Sequence, residues 1–294
     1  MFNKLVYFKE ILKNILLILS LQLLCNCSGS KNSLEPNNQN IKYLITEGKN
    51  LWEQRADSNA MARAEYLISL AYKERTEDFE LASLIGEMKY TRAYFLEKDP
   101  IKRDSLFYIG NKICRESVFN DPEFSIIFNK TKGDSTTKLF ASINKAPKTV
   151  VPRLYWWAVN LLHYLNNRPI IERLNQRELL EVIMNRVLAL EPSFHFSGPY
   201  RFFGSLYTRI PGLNLNQSET YFKQSLTANP EFLGNSVLMA EFYYQKAGDR
   251  EKFHKTLNNV LKTNLTKNPE LITYNLFYQS RAEELLENES SLFE

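Results

Sequence analysis

From about residue 40 onward, apolar side chains recur at every third or fourth position, and the strand signature of alternation with turn pairs is absent. The pattern predicts helices nearly throughout and no sheet. The rhythm breaks at Asp99-Pro100, Asp121-Pro122, Glu191-Pro192, Asn229-Pro230 and Asn268-Pro269. Each break predicts a helix junction, because proline disfavours helix in the residue before it and cannot donate a backbone hydrogen bond. Ahead of the helices, residues 28–40 are rich in Ser and Asn and predict a flexible tether. Ahead of the tether, Lys4, Lys9 and Lys13 flank an apolar run from Ile15 to Leu24 that stops at Cys25-Asn26-Cys27. That run is too short to cross ~30 Å of hydrocarbon at ~1.5 Å per residue, so it predicts an export signal rather than a spanning helix.

The junctions are spaced as in a repeat. Ser218, Phe222, Ser225 and Pro230 have the small, aromatic, small, Pro order of the second helix of a tetratricopeptide (TPR) unit. Gly204 takes the small position of the preceding helix, with a lengthened loop at 210–216. A second unit pairs Gly48 with Ala60, followed by Ala64 and Leu67 on the same face. More degenerate pairs are expected at 79–96 with 101–117, 155–165 with 177–190, and 237–246 with 249–262. The expected fold is all-α: an α-solenoid of about five antiparallel TPR-like pairs, against the alternative of an unrelated all-α bundle. Region 121–152 interrupts the rhythm. It reads as an insertion with a polar, turn-rich stretch at 128–137, a helical turn or two at 139–143, and an extended stretch between Pro147 and Pro152. Such an insertion is expected over one face of the solenoid, often the functional one. The domain division expected is a signal at 1–26, a tether at 27–40 and one helical domain at 41–294.

Composition narrows the chemistry. Three Cys, two of them beside the signal, leave Cys114 without a partner, which excludes a disulfide framework and predicts a buried small hydrophobe. The formal charge is only +4 and no basic stripe stands out, which disfavours nucleic acid as a partner. The aromatic share, 13% from 19 Phe, 16 Tyr and 3 Trp, is high enough to suit an apolar ligand pocket as well as a core. His163, His195 and His254 have no partner at metal-ligand spacing, and the nucleophile-elbow, phosphate-loop and dinucleotide motifs are absent, so no metal or cofactor is expected. Glu283, Glu284 and Glu287 read as a solvated helix face. Nothing in the sequence supports an enzyme.

Two segments carry candidate binding chemistry. Tyr155, Trp156 and Trp157, with Asn160 behind them, cannot all face one side of a helix that turns by ~100° per residue. In the second, His195, Phe196, Gly198, Pro199, Arg201 and Phe202 form an aromatic cluster around a turn that opens a helix. Free backbone amides and Arg201 there suit an anion, and the rings suit an apolar tail. Ordinary packing is the competing reading for both clusters. On neighbouring helix pairs, the two are expected to share one cavity.

The blocks from Tyr155-Trp156-Trp157 through Gly198-Pro199-Tyr200-Arg201-Phe202-Phe203-Gly204-Ser205 resemble the TRAP-transporter-associated T-component (TatT) family. Matching blocks follow at 218–230, at Ala240-Glu241-Phe242-Tyr243-Tyr244, at 249–253 and at 281–286. The beginning also resembles a bacterial lipoprotein signal, with Leu24 three residues before Cys27 and Cys27 as the acylated residue; Cys25 is the less suitable alternative. The resemblance implies a lipid-anchored protein of the cell envelope facing the periplasm. It implies a partner, the substrate-binding subunit of a TRAP-type transporter, along with trimerisation and an apolar or amphipathic organic acid as cargo. A scaffold that binds protein and carries no small molecule is the alternative. The chain departs from the family pattern at the loop 211–216, and at Ser197, where members tend to carry Gly.

Overall fold

The computed structural model describes residues 38–294. The chain divides into Met1–Asn40 and Ile41–Glu294. The first unit, with the signal, most of the tether and Cys27, lies almost wholly outside the described residues. Among those described, every regular element is helical. They are α1 (Asn38–Glu53), α2 (Ser58–Glu74), α3 (Phe79–Thr91), α4 (Pro100–Asn120), α5 (Pro122–Lys130), α6 (Ser135–Ile143), α7 (Val151–Leu165) and α8 (Ile170–Leu190). There follow α9 (Phe194–Thr208), α10 (Leu215–Ala228), α11 (Leu233–Leu238), α12 (Gln245–Ala247), α13 (Arg250–Leu261), α14 (Ile272–Glu287) and α15 (Glu289–Leu292). Two π-helical segments, Arg92–Leu96 and Met239–Tyr244, extend α3 and α11.

Side-chain caps explain where seven of the fifteen described α-helices begin. Asp57, Asp78, Asp99, Asp121, Asp134, Asn214 and Asp249 each accept backbone amides of the first turn. At Asp99-Pro100 and Asp121-Pro122 the Asp is the cap and the Pro the first helical residue, where its missing amide costs nothing.

Helix α7 is buried on every side, from Arg153 through His163. It packs against α3, α4 and α8, and more lightly against α9. Close approach of three helices is set by glycine. A Cβ at Gly86 would lie 2.3 Å from Cys114 Sγ and 2.9 Å from Trp156 Cβ, and one at Gly110 would lie 2.7 Å from Asn160 Oδ1. Cys114 is free and buried, and burial pushes its thiol up to about 12. At the α9–α10 pair, Ser218 Oγ donates to the Gly204 carbonyl at 2.7 Å, and a Cβ at Gly204 would meet the Phe222 ring at 2.7 Å. Gly48 makes its tight contact with Ile68, at 2.7 Å for a built Cβ, about two turns further along α2 than Ala60.

Region 121–152 differs from expectation. It holds two capped helices, α5 and α6, and Phe124, Ile143, Ala146 and Val150 join the same core as α7. Pro147 and Pro152 do not bracket an extended stretch: Lys148–Val150 is a 3₁₀ turn, and Pro152 sits in the first turn of α7. A buried Arg153–Asp121 pair at 2.8 Å, with Arg153 also donating to the Ser117 and Thr149 carbonyls, ties the segment down.

Candidate functional site

The turn entering α9 is the most strained part of the described chain. His195, Phe196 and Ser197 have φ of 46°, 58° and 63°, three consecutive left-handed residues with no glycine among them. Each costs ~1–3 kcal/mol, so neighbouring contacts must hold the turn. Arg201 supplies them. Its guanidinium donates to the His195 carbonyl at 2.7 Å, the Phe196 carbonyl at 2.8 Å, Asn235 Oδ1 at 3.1 Å and Tyr155 Oη at 3.3 Å. It also reaches His195 Nδ1 at 2.7 Å, and its face lies 4.6 Å from the centre of the Phe232 ring. Since arginine only donates, His195 Nδ1 accepts, and a neutral ring carries its proton on Nε2, 3.6 Å from Glu87 Oε1. The Tyr274 hydroxyl donates to the same Glu87 oxygen at 2.6 Å. Burial would raise the Glu87 carboxyl, but His195, Tyr274 and Arg55 more than offset it and hold it below the usual range. Burial, only partly countered by Glu87, lowers His195.

The two predicted clusters do meet. Tyr155 is 5.6 Å and Trp156 4.8 Å from the His195 ring, centre to centre. Gly198 is required there, because a Cβ would lie 2.4 Å from Tyr155 Oη. From His195 the rings continue inward: Trp156 to Tyr90 at 5.5 Å, Tyr90 to Tyr94 at 5.5 Å, Tyr94 to His163 at 5.3 Å. Along this seam the rings pack directly against one another. Other predicted residues lie off it. Trp157 points away, toward Phe119, and lines an outer cleft. Asn160 is fully buried and donates to the Gly86 and Trp156 carbonyls. Pro199 and Phe202 are buried in α9. Phe196 lines a cleft of about 540 Å³ with Phe232 and Pro269, and Glu87 a cleft of about 480 Å³ with Trp52 and Arg153.

The inner end of the seam is a polar cluster that sequence reasoning did not single out. Both π-helical segments reach it. The Tyr94 hydroxyl, from the first, donates to Glu241 of the second, and Arg281 Nη2 donates to Glu241 at 2.6 Å. Single-turn π insertions recur at functional sites. His163 lies against Tyr94 of this cluster; burial, with Arg209, Arg281 and Arg103 nearby, holds its imidazole well below the ordinary value. Arg209 lies over the Phe242 ring at 4.2 Å. Its Nη1 and Nη2 are buried and meet no acceptor among the described residues. The available signal was a charge on an apolar face: Arg209 stands three residues after Leu206, which is buried.

Among the described residues, which form helices only, the aromatic seam runs to a cluster of arginines, and no group of His, Cys, Asp and Glu fit to hold a metal occurs. A family model described as TRAP transporter T-component matches residues 118–293. That is more than half of the chain, and the chain belongs to this family, a transporter component rather than a class of enzyme. Comparison with curated proteins finds no match. Among the described residues no helix is long and apolar enough to cross a membrane; the family places the protein with the cell envelope.

Proposed function

We propose that this protein is a lipid-anchored periplasmic accessory of a TRAP-type transporter, docking the substrate-binding subunit and holding or relaying an apolar or amphipathic organic acid. The observation that carries the ligand half is the continuous ring seam from His195 to Tyr94, ending among arginines, within a member of a transporter family. In this reading Tyr155, Trp156, His195 and Phe196 form the wall for the apolar part. Arg201, its donors engaged, fixes the left-handed turn that sets that wall. The helices of 41–294 are read as degenerate TPR-like pairs, the kind of stack that offers a long surface to a protein partner. Cys27 is the proposed anchor, and a trimer the proposed assembly.

A cargo-free scaffold is the second reading, favoured by the direct packing of the seam's rings on one another. Mass spectrometry under native conditions of protein purified from its host separates the two. The expected result is a bound organic acid at a fixed ratio to the chain. Protein free of small molecules that still captures the substrate-binding subunit would hand the argument to the scaffold.

A further inference from the structure

The crevice between α8 and α9 combines two features that each lack an explanation in the fold. Its wall is aliphatic, with Leu162, Leu165, Leu206 and Ile210, and it contains Arg173, Arg177 and Arg209 but no carboxylate among its lining residues. Arg177 is satisfied by Glu181 at 2.9 Å. Arg173 Nε and both terminal nitrogens of Arg209 are buried and have no acceptor among the described residues. Burial pushes Arg209 down to about 10, a value at which it keeps its charge at neutral pH. The nearest acid, Glu241, is already engaged by Arg281 and Tyr94. A buried charge without a partner is costly, and the excess here is positive.

The second feature is the lip. Ile170 is 48%, Ile171 60% and Leu174 43% exposed, adjacent apolar side chains on the first turns of α8, with Ile170 and Leu174 at the crevice itself. The enclosed space is about 20 Å³, enough for one small polar group and not for a whole ligand. On its other side Arg209 lines an open cleft of about 310 Å³ with Thr208, Lys246 and Glu241, the last held by Arg281 and Tyr94.

We propose that Arg209, assisted by Arg173, receives the carboxylate of an organic acid whose alkyl tail lies along the Ile170–Leu174 lip. The head group would take up the free donors, and the tail would cover the exposed aliphatic strip. This rests on the carrier reading above and places the head group at Arg209, not at Arg201 where the sequence suggested an anion, since the Arg201 donors are engaged. Carboxylate recognition by a guanidinium is charge-assisted, whereas the matching alcohol offers no charge.

The test uses the full chain in lipid nanodiscs, titrated calorimetrically with octanoate and octanol, with empty nanodiscs subtracted. Octanoate is expected to bind about tenfold or more tighter than octanol, and Arg209→Gln to remove that preference while leaving octanol unchanged. Leu174→Glu, at an exposed position that leaves the fold intact, is expected to weaken octanoate similarly by placing a like charge at the mouth. Absence of octanoate binding by the unaltered protein, or a preference that survives both variants, overturns the placement. So does a Leu174→Glu protein that changes only its oligomeric state, which would make the lip an interface between copies. If host-purified protein nevertheless carries an acid, only this placement falls; if it carries none and octanoate does not bind, the carrier reading falls with it.

Discussion

Arg201 and Arg209 stand eight residues apart on one helix and its end, yet their surroundings are opposite. Arg201 satisfies two carbonyls of a strained turn and Asn235. Arg209 Nη1 and Nη2 have no acceptor among the described residues. Arg201→Met should therefore destabilise the protein by about 3 kcal/mol or more, because buried acceptors lose their donor. Arg209→Met should change stability by less than ~1 kcal/mol, since removing an uncompensated buried charge is neutral or favourable. Urea unfolding of both variants checks the contrast, and equal losses would mean that Arg209 has a structural partner. Ser197 fits the same local picture: φ of 63° explains why glycine suits this position, and Ser is retained with its Oγ donating to Asn229 Oδ1 at 2.6 Å. His163 sets a pH dependence. Its folded value lies below the ordinary 6.5, so the unfolded chain binds the proton more readily. The contribution to stability is complete above about pH 6.5 and is lost as pH falls below that toward the folded value. The melting temperature should hold steady above pH 7 and drop between pH 6.5 and 5; His163→Phe should flatten that drop.

Among elements, the expected contact between Gly204 and Ser218 is present. The α9–α10 pair meets where Gly204 and Ser218 predicted, with Phe222 filling the groove. Gly204→Leu should cost ~1–3 kcal/mol by overpacking against Phe222, and so lower the melting temperature by several degrees. Lys255→Leu, at an exposed position of α13, should leave it within a degree or so. Calorimetry of the two variants side by side makes the comparison. Region 121–152 was misread because its polar composition masked two caps. Asp121 and Asp134 each start a helix of only nine residues, too short to be stable alone and held by tertiary burial of Phe124 and Ile143. The π-helical segments have no sequence signature either. One extra residue per turn is tolerated where Tyr94 and Glu241 reach across to each other.

At the scale of the whole molecule, the anchor and the helical domain are separate claims. Cys27 lies outside the described residues. If it carries the lipid, Cys27→Ser should move the protein from the membrane pellet to the soluble fraction and abolish labelling by palmitate. Several acyl chains are needed for firm attachment, each buried CH₂ contributing ~0.8 kcal/mol. A variant that stays in the pellet would show that another part of the chain holds the membrane.

The sequence alone determined the helical class, the junctions at the X-Pro pairs, the unpaired Cys114 and the family, because these depend on local periodicity, backbone chemistry and ordered blocks of residues. It also placed Tyr155, Trp156, His195 and Arg201 in two neighbouring clusters. What Arg201 bonds to was decided only by the fold. Its acceptors come partly from a left-handed turn that no propensity predicts and partly from Asn235, 34 positions away. The polar cluster around Arg209 was likewise invisible, since it is assembled from α7, α9, α14 and two π-helical segments whose meeting is a matter of packing. Charge and aromaticity can be read from a sequence, but whether a guanidinium finds a partner depends on every chain segment that folds around it.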